Sequence, residues 1–389
     1  MTAVDVVIVG AGVVGASFAL SLKQADVSVA LVEPQPRAEI RDDSSWDSRV
    51  YTISPGNAAW LRTLEVWPLL PAERVCRVET MLVYGDRGGS SLEFSAYDAG
   101  LRELAFVVEN RQLQHALWQA LQDSGHVRLL QGTRCVNVSW ERESARLVLD
   151  DGSELNARLI VAADGADSWV RERAGIQQRV YDYRELGVVA NFGTECAHQG
   201  IAYQWFRADG VLALLPLPGN RVSMVWSAPE ARAAELLALP PEKLCEEVAQ
   251  ASRHVLGSLK LITKVAAFPL RRQRVARLVE PRAALLGDAA HNVHPLAGQG
   301  VNLGLRDARQ LAEVLTGRGA QRDCGDYALL RRYERARKED IMALDFTTDG
   351  LEKLFSAQHV SLSRLRNVGL ALLDAQPSLK KVLIRRAVA

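Results

Sequence analysis

Val4-Asp5-Val6-Val7-Ile8-Val9-Gly10-Ala11-Gly12-Val13-Val14-Gly15 opens the chain with an apolar run that leads straight into glycines spaced GxGxxG. Residues Ala16 to Lys23 then follow helical spacing, and Val27 to Val32 is a second buried-strand pattern ending in Glu33. Strand, glycine turn, helix, strand and acid come in the order of a dinucleotide-binding unit. In that unit Gly10 makes the tight turn, Gly12 lets a pyrophosphate approach the backbone and Gly15 allows the helix to pack closely. Glu33 is placed to accept from an adenosine ribose. The glycines alone do not choose between FAD and NAD.

A second anchor lies late in the chain: Gly287-Asp288-Ala289-Ala290-His291-Asn292-Val293-His294-Pro295-Leu296-Ala297-Gly298-Gln299-Gly300-Val301-Asn302-Leu303-Gly304. The apolar run Ala283 to Leu286 before it reads as a short buried strand, and Leu305 to Leu315 after it has helical spacing. Pro295 forbids a continuous helix through the histidines. Gly298 and Gly300 leave bare backbone beside a helix start, where an anionic or electron-accepting ring is favoured.

The 389 residues are 48% hydrophobic and 24% charged with a net charge of +1, which allows a large core and two or more lobes and argues against nucleic acid as a partner. Cys76, Cys135, Cys196, Cys245 and Cys324 are scattered without a CxxC pair, which suits a reducing compartment and indicates neither a disulfide framework nor a zinc site. The first apolar run carries the glycine fingerprint, so it reads as a core strand and not as a signal peptide. No apolar run is long enough to span a membrane.

Between the anchors, Ser54-Pro55 reads as a helix N-cap followed by proline at the first helical position, with the helix reaching about Leu64. Residues 76–104 read as strands with a turn at Gly88-Gly89, and Leu113, Ala116, Leu117 and Leu121 mark one face of the next helix. Asp150-Asp151-Gly152-Ser153 reads as a hairpin turn, and Asp164-Gly165 falls at the carboxyl end of the following strand, where open α/β sheets place ligands. Residues 181–274 alternate as an antiparallel sheet with turns at Asp209-Gly210 and Pro218-Gly219-Asn220. Trp205, Leu212, Leu214, Pro216, Met224 and Trp226 are candidates to line a cavity under it, or else form a plain core face. Tyr327 to Leu344 and Leu351 to Phe355 are helical. The stretch Leu365 to Ile384 carries apolar residues at helical spacing and ends among Lys380, Lys381, Arg385 and Arg386, a pattern that suits either packing on the protein or contact with an anionic membrane.

The order of the GxGxxG turn, Ala163-Asp164-Gly165-Ala166-Asp167-Ser168 and the late Gly287-Asp288 loop resembles the single-component FAD-dependent aromatic hydroxylases. Within them, Gly287 to Asp307 is similar to the ubiquinone-biosynthesis hydroxylase family. The resemblance runs over nearly the whole chain, including Glu109-Asn110-Arg111 and Arg332 to Lys338. It implies an α/β fold: a Rossmann-like FAD-binding domain (1–75, 105–180 and 275–320), an inserted antiparallel β-sheet substrate domain (76–104 and 181–274) and a C-terminal helical region (321–389).

The resemblance also implies roles. Arg49 lies near the flavin, with residues 34–48 as a candidate mobile cover, and Arg111 meets phosphate or ribityl oxygens. Asp164 touches the cofactor, Asp288 holds the ribityl chain behind Gly287, and Gly298, Gln299, Gly300 and Asn302 surround the ring. His291 and Pro295 are candidates beside the reacting ring, with loop carbonyls the plainer use for His291. Arg37 or Arg41 could read a 2′-phosphate, although solvated loop arginines fit as well. Asp288, His291 and His294 sit in too irregular a loop to form a metal site.

The expected reaction is hydroxylation of a polyprenylated ubiquinone precursor through a flavin C4a-hydroperoxide, with NAD(P)H as transient donor and O2 as co-substrate. A lipophilic aromatic substrate and a cytoplasmic location follow, with the C-terminal helices as a contact to the inner face of the membrane or to a biosynthetic complex. A hydroxylase of a soluble phenol and a non-catalytic nucleotide-binding scaffold are the alternatives.

Overall fold

The computed structural model describes residues 2–36, 45–85, 91–292, 300–319 and 321–356, together with Lys381 and Ile384; for 344–356 only the backbone is described. Strand Thr2–Val9 lies in the middle of a mostly parallel sheet in the order 279–280, 283–285, 154–162, 2–9, 29–33, 127–131. Val6, Val7 and Ile8 have no solvent exposure, as a strand covered on both faces requires. Strands Cys135–Trp140 and Ala145–Leu149 extend this sheet as an antiparallel meander onto Glu154–Ala162.

The fingerprint helix runs Val13–Ser21 and tightens into a 3₁₀ turn over Leu22–Gln24, slightly earlier than the sequence periodicity suggests. Its close seat depends on absent side chains. Gly10 has φ +99°, and a Cβ there would stand 2.4 Å from the Ala163 carbonyl oxygen. A Cβ on Gly15 would stand 2.0 Å from the Gly10 carbonyl oxygen. At Gly12, by contrast, nothing lies within 4 Å of the Cβ position.

Helix Pro55–Thr63 begins as expected, with Ser54 Oγ accepting from the Asn57 N–H at 3.3 Å. Leu113, Ala116, Leu117 and Leu121 are all buried on one face of helix Asn110–Ser124. A three-stranded sheet of Val50–Ile53, Ala105–Glu109 and Val75–Val78 sits between the lobes. Strand Val75–Val78 therefore pairs on the nucleotide side, and the chain joins the substrate sheet only at Thr80–Tyr84.

That second sheet runs in the order 291–292, 266–275, 178–194, 221–229, 210–217, 201–207, 80–84, 91–95. Its long strand Gln178–Thr194 and its partner Ala266–Val275 project as a two-stranded ribbon before entering the sheet. Trp205, Leu212, Leu214, Met224 and Trp226 point to one face, where Leu236, Leu244 and Val248 of helices Glu230–Ala238 and Pro241–Ala251 cover them. Pro216 is buried at the same parity. The six candidates for a cavity lining are thus a core face, and the opposite face looks toward the nucleotide domain.

Helix Gly300–Thr316 packs across the fingerprint helix, close enough that a Cβ on Gly304 would lie 2.6 Å from Val14 Cγ2. The expected pair of helices after it is one helix, Tyr327–Ser356. No helix among the described residues is long and apolar enough to cross a membrane. The Gly88-Gly89 turn, Arg37, Arg41 and most of the basic C-terminal stretch lie outside the described residues.

The glycine geometry separates two substitutions. Gly15→Ala is expected to cost about 3 kcal/mol through overpacking. Gly12→Ala is expected to cost only about 1 kcal/mol, the difference between glycine and alanine at an N-cap. Urea unfolding of both variants measures the contrast.

Candidate cofactor site

The Gly10 turn, the Asp164 turn and the Gly287 loop all lie at the carboxyl ends of neighbouring parallel strands, where the first sheet opens a crevice. Glu33 reaches back across it: Oε2 accepts from the Ala11 N–H at 2.7 Å and Oε1 from the Gln35 N–H at 2.9 Å. The carboxylate therefore braces the glycine turn, and each oxygen keeps a lone pair for a ribose hydroxyl. Asp164 Oδ2 accepts from the Val170 N–H at 3.1 Å, while Oδ1 is buried without a partner among the described residues. Burial raises the Asp164 pKa, against hydrogen bonds from Ser168 and Val170.

Asp288 is exposed to solvent, yet burial by surrounding protein is the main cause of its raised pKa; Asp307 adds to the rise, and His291 and Arg49 oppose it. A side chain that water reaches while protein surrounds it lies in a cleft. Arg49 faces the same cleft with its guanidinium 5.4 Å from the Tyr51 ring centroid, and its backbone N–H donates to Asp47 Oδ1 at 3.0 Å. Open space at Gly12, the lone pairs left on Glu33 and an accessible carboxylate at Asp288 fit a dinucleotide that lays phosphate on the glycine turn and hydroxyls on the acids.

Other expected residues are used by the protein itself. Asn302 Oδ1 accepts from the Ser54 N–H and the Asn57 Nδ2 amide, both at 2.9 Å, and Asn302 Nδ2 donates to the Thr52 carbonyl at 2.7 Å. Its side chain pins the start of helix Gly300–Thr316 to the strand and helix at 50–63, so that amide is used within the protein. Arg111 donates to the Ser45 carbonyl at 2.7 Å and to Ser45 Oγ, and its N–H donates to Asp47 Oδ2. Gly300 begins its helix with nothing near its Cβ position. His294, Pro295, Gly298 and Gln299 lie outside the described residues.

His291 is turned away from the role of a group beside the ring. Its Nε2 lies 2.5 Å from Oδ2 of Asp307, a carboxylate without solvent exposure that also accepts the Gly287 N–H at 3.1 Å. Arg337 Nε donates to Asp307 Oδ1 at 2.7 Å and Nη1 to Asp340 at 2.7 Å. Burial alone would raise the Asp307 pKa, but His291 and Arg337 outweigh it and hold the acid below its ordinary value.

Arg171, 3% exposed, donates to the Ala289 carbonyl at 3.0 Å and the Ala166 carbonyl at 2.8 Å, joining the Asp164 and Asp288 turns. Gln273 Nε2 donates to the Asp288 carbonyl at 3.1 Å, and His291–Asn292 pairs with the strand that carries it. Asp307, Arg171, Arg337 and Gln273 are not among the site residues expected from the sequence. Asp307 and Arg337 fall inside the segments that carried the resemblance, and Arg171 and Gln273 had no local signal.

The FAD binding domain family matches residues 3–345. The chain is 35% identical to the ubiquinone hydroxylase UbiL of Rhodospirillum rubrum, over 99% of this chain and 89% of that protein. It belongs to the FAD-dependent ubiquinone-biosynthesis hydroxylase family. It is also 34% identical to the 3-demethoxyubiquinol 3-hydroxylase of Escherichia coli, covering 99% and 98% of the two chains. Its fold is that of p-nitrophenol 4-monooxygenase PnpA from Pseudomonas putida DLL-E4, with a TM-score of 0.79 at 16% identity over 100% of this chain and 99% of the other. The protein is therefore an FAD-dependent monooxygenase.

Two substitutions probe the site. Asp307→Asn leaves the buried Arg337 with only the half-exposed Asp340 as counter-charge and is expected to cost about 3 kcal/mol in urea unfolding. Because the folded pKa of Asp307 lies below the unfolded one, its stabilisation is complete above about pH 4 and is lost as pH falls through the folded value. The acid limb of the wild-type stability curve should accordingly flatten in the variant. Asp288→Ala is expected to yield folded protein largely free of flavin, read from the visible absorbance and circular dichroism of the purified variant.

Proposed function

We propose that this protein hydroxylates the aromatic ring of a polyprenylated ubiquinone precursor, with FAD as cofactor, NAD(P)H as transient electron donor and O2 as the oxygen source. The observation that carries this reading is the identity of 34–35% with two ubiquinone-ring hydroxylases over 99% of the chain. FAD, once reduced, supplies the activation of O2 and the transfer of one oxygen atom.

The protein's own part is to hold, orient and keep dry. Gly10, Gly12 and Gly15 give the backbone approach that a pyrophosphate needs, Glu33 and Asp164 take hydroxyls, and Asp288 takes the ribityl chain. Gly287, Arg49 and Gly300, with Gly298 and Gln299 beside it, frame the ring. The helix starting at Gly300 turns its positive end toward negative charge on that ring. Opposite them, the face of the substrate sheet away from its helices carries Ala213, Val225 and Val189 in one row, which suits an aromatic ring and excludes water. A prenylated substrate and the basic sequence around Lys380, Lys381, Arg385 and Arg386 both suit work at an anionic membrane surface.

The test is anaerobic reduction by NADH or NADPH with and without a prenylated phenol, followed by product analysis under ¹⁸O₂. We expect yellow protein whose reduction quickens at least about tenfold with the phenol, a barrier change near 1.4 kcal/mol, and one labelled oxygen in the product. A protein that cannot be reconstituted with FAD, or that hydroxylates no prenylated ring, refutes the proposal. Equal activity on the phenol without its tail would move the substrate to soluble phenols.

A further inference from the structure

Strand register sorts the free face of the substrate sheet into rows. One row is Ala202, Leu215, Ser223 and Asn191; the next is Gln204, Ala213, Val225 and Val189. The first row is packed on the nucleotide domain. Ala202 and Leu215 meet Val50, Cys76, Val78 and Val107, and Asn191 Nδ2 donates to the Asp47 carbonyl at 2.8 Å.

The second row has a different environment. Val189 is 7% exposed and Ala213 and Val225 are half-buried, yet none of the packed apolar clusters among the described residues includes them. Ala213 and Val225 therefore keep apolar surface open on this face. Gln204 stands within the same row, between Ala213 and Val83, 5% exposed, and its side chain makes no hydrogen bond among the described residues. Its amide atoms are not sealed off, and they lie on the same face as that apolar surface. Burying an amide without a partner costs about 1–3 kcal/mol. Open apolar surface with one convergent polar group is the general form of a small-molecule site, in which the polar group fixes orientation.

We propose that Gln204 is a specificity-determining residue: its amide hydrogen-bonds an oxygen substituent of the aromatic substrate ring, which lies against Ala213, Val225 and Val189. This rests on the hydroxylase reading above and adds to it the chemical class of ring that the site selects, a phenol or alkoxyphenol over the bare hydrocarbon. The amide serves both cases, since its N–H donates to a phenolic or ether oxygen and its carbonyl accepts from a hydroxyl. An apolar residue of the same length would keep the apolar surface and lose the choice.

The experiment titrates the flavin-loaded enzyme with farnesylated phenol and with farnesylbenzene, following the perturbation of the visible flavin spectrum. Wild-type protein should bind the phenol about tenfold more tightly, the effect of one hydrogen bond. In Gln204→Met the two affinities should fall within about twofold of each other, with farnesylbenzene bound at least as well as by wild type. Flavin content and thermal midpoint should not change. Gln204→Asn, which keeps the amide but shortens its reach, should reduce the preference and serves if the methionine variant does not fold. Discrimination that survives in either folded variant, or wild-type protein that binds both ligands equally, overturns the role of Gln204 and leaves the hydroxylase reading standing. Wild-type protein that binds neither ligand overturns the prenylated-ring reading itself.

Discussion

The carboxylate of Asp307 sits in the interior with no access to water, and the arrangement of the cofactor side depends on how it is neutralised. An isolated buried charge is too costly to persist, so it must be paired and hydrogen-bonded. Its partners come from two segments: His291 and the Gly287 N–H from the loop after the last parallel strand, and Arg337 from helix Tyr327–Ser356. Asp307 itself belongs to helix Gly300–Thr316. Satisfying one acid thus fixes the loop that presents Asp288 relative to both long helices. The same loop is gripped from the other side by Gln273 and by strand pairing at His291–Asn292, so the substrate sheet and the cofactor crevice share a rigid edge.

Close backbone approach supplies the second constraint. Gly10 and Gly15 touch neighbouring backbone, while Gly304 brings the helix after the late loop against Val14 of the fingerprint helix. These contacts draw the two anchors of the sequence, almost 300 residues apart, to one crevice. Gly12 is left facing open space, so packing makes no demand on it. One motif therefore contains two kinds of glycine, separated by what a Cβ would meet.

The parts legible in the sequence were those set by local chemistry: the strand, glycine turn and helix at 4–23, the Ser54-Pro55 helix start, the turn at 150–153 and the Asp164 position. Alternation along 201–227 revealed two faces of the substrate sheet but not which one the helices cover. Large residues at Trp205 and Trp226 fitted either a cavity lining or a core face, and bulk is what a helix-covered face needs. Asn302 was read from its nearness to the late glycines, whereas its amide bonds to Ser54 and Thr52, about 250 residues away in sequence. Arg171 and Gln273 were illegible for the same reason, since nothing local announces which distant carbonyl a buried donor will meet.

Satisfaction of hydrogen-bonding capacity offers a physical way to sort what the sequence left mixed. Asp307, Asn302 and Arg171 are buried polar groups held by bonds within the chain, and they form scaffold. Asp164 Oδ1 lacks a partner among the described residues but has no surface that a ligand could touch, whereas Gln204 makes no side-chain hydrogen bond among the described residues and keeps some amide surface. A folded chain rarely retains such groups without compensation, and an unpaired amide that still has surface is the one that a bound oxygen substituent can satisfy.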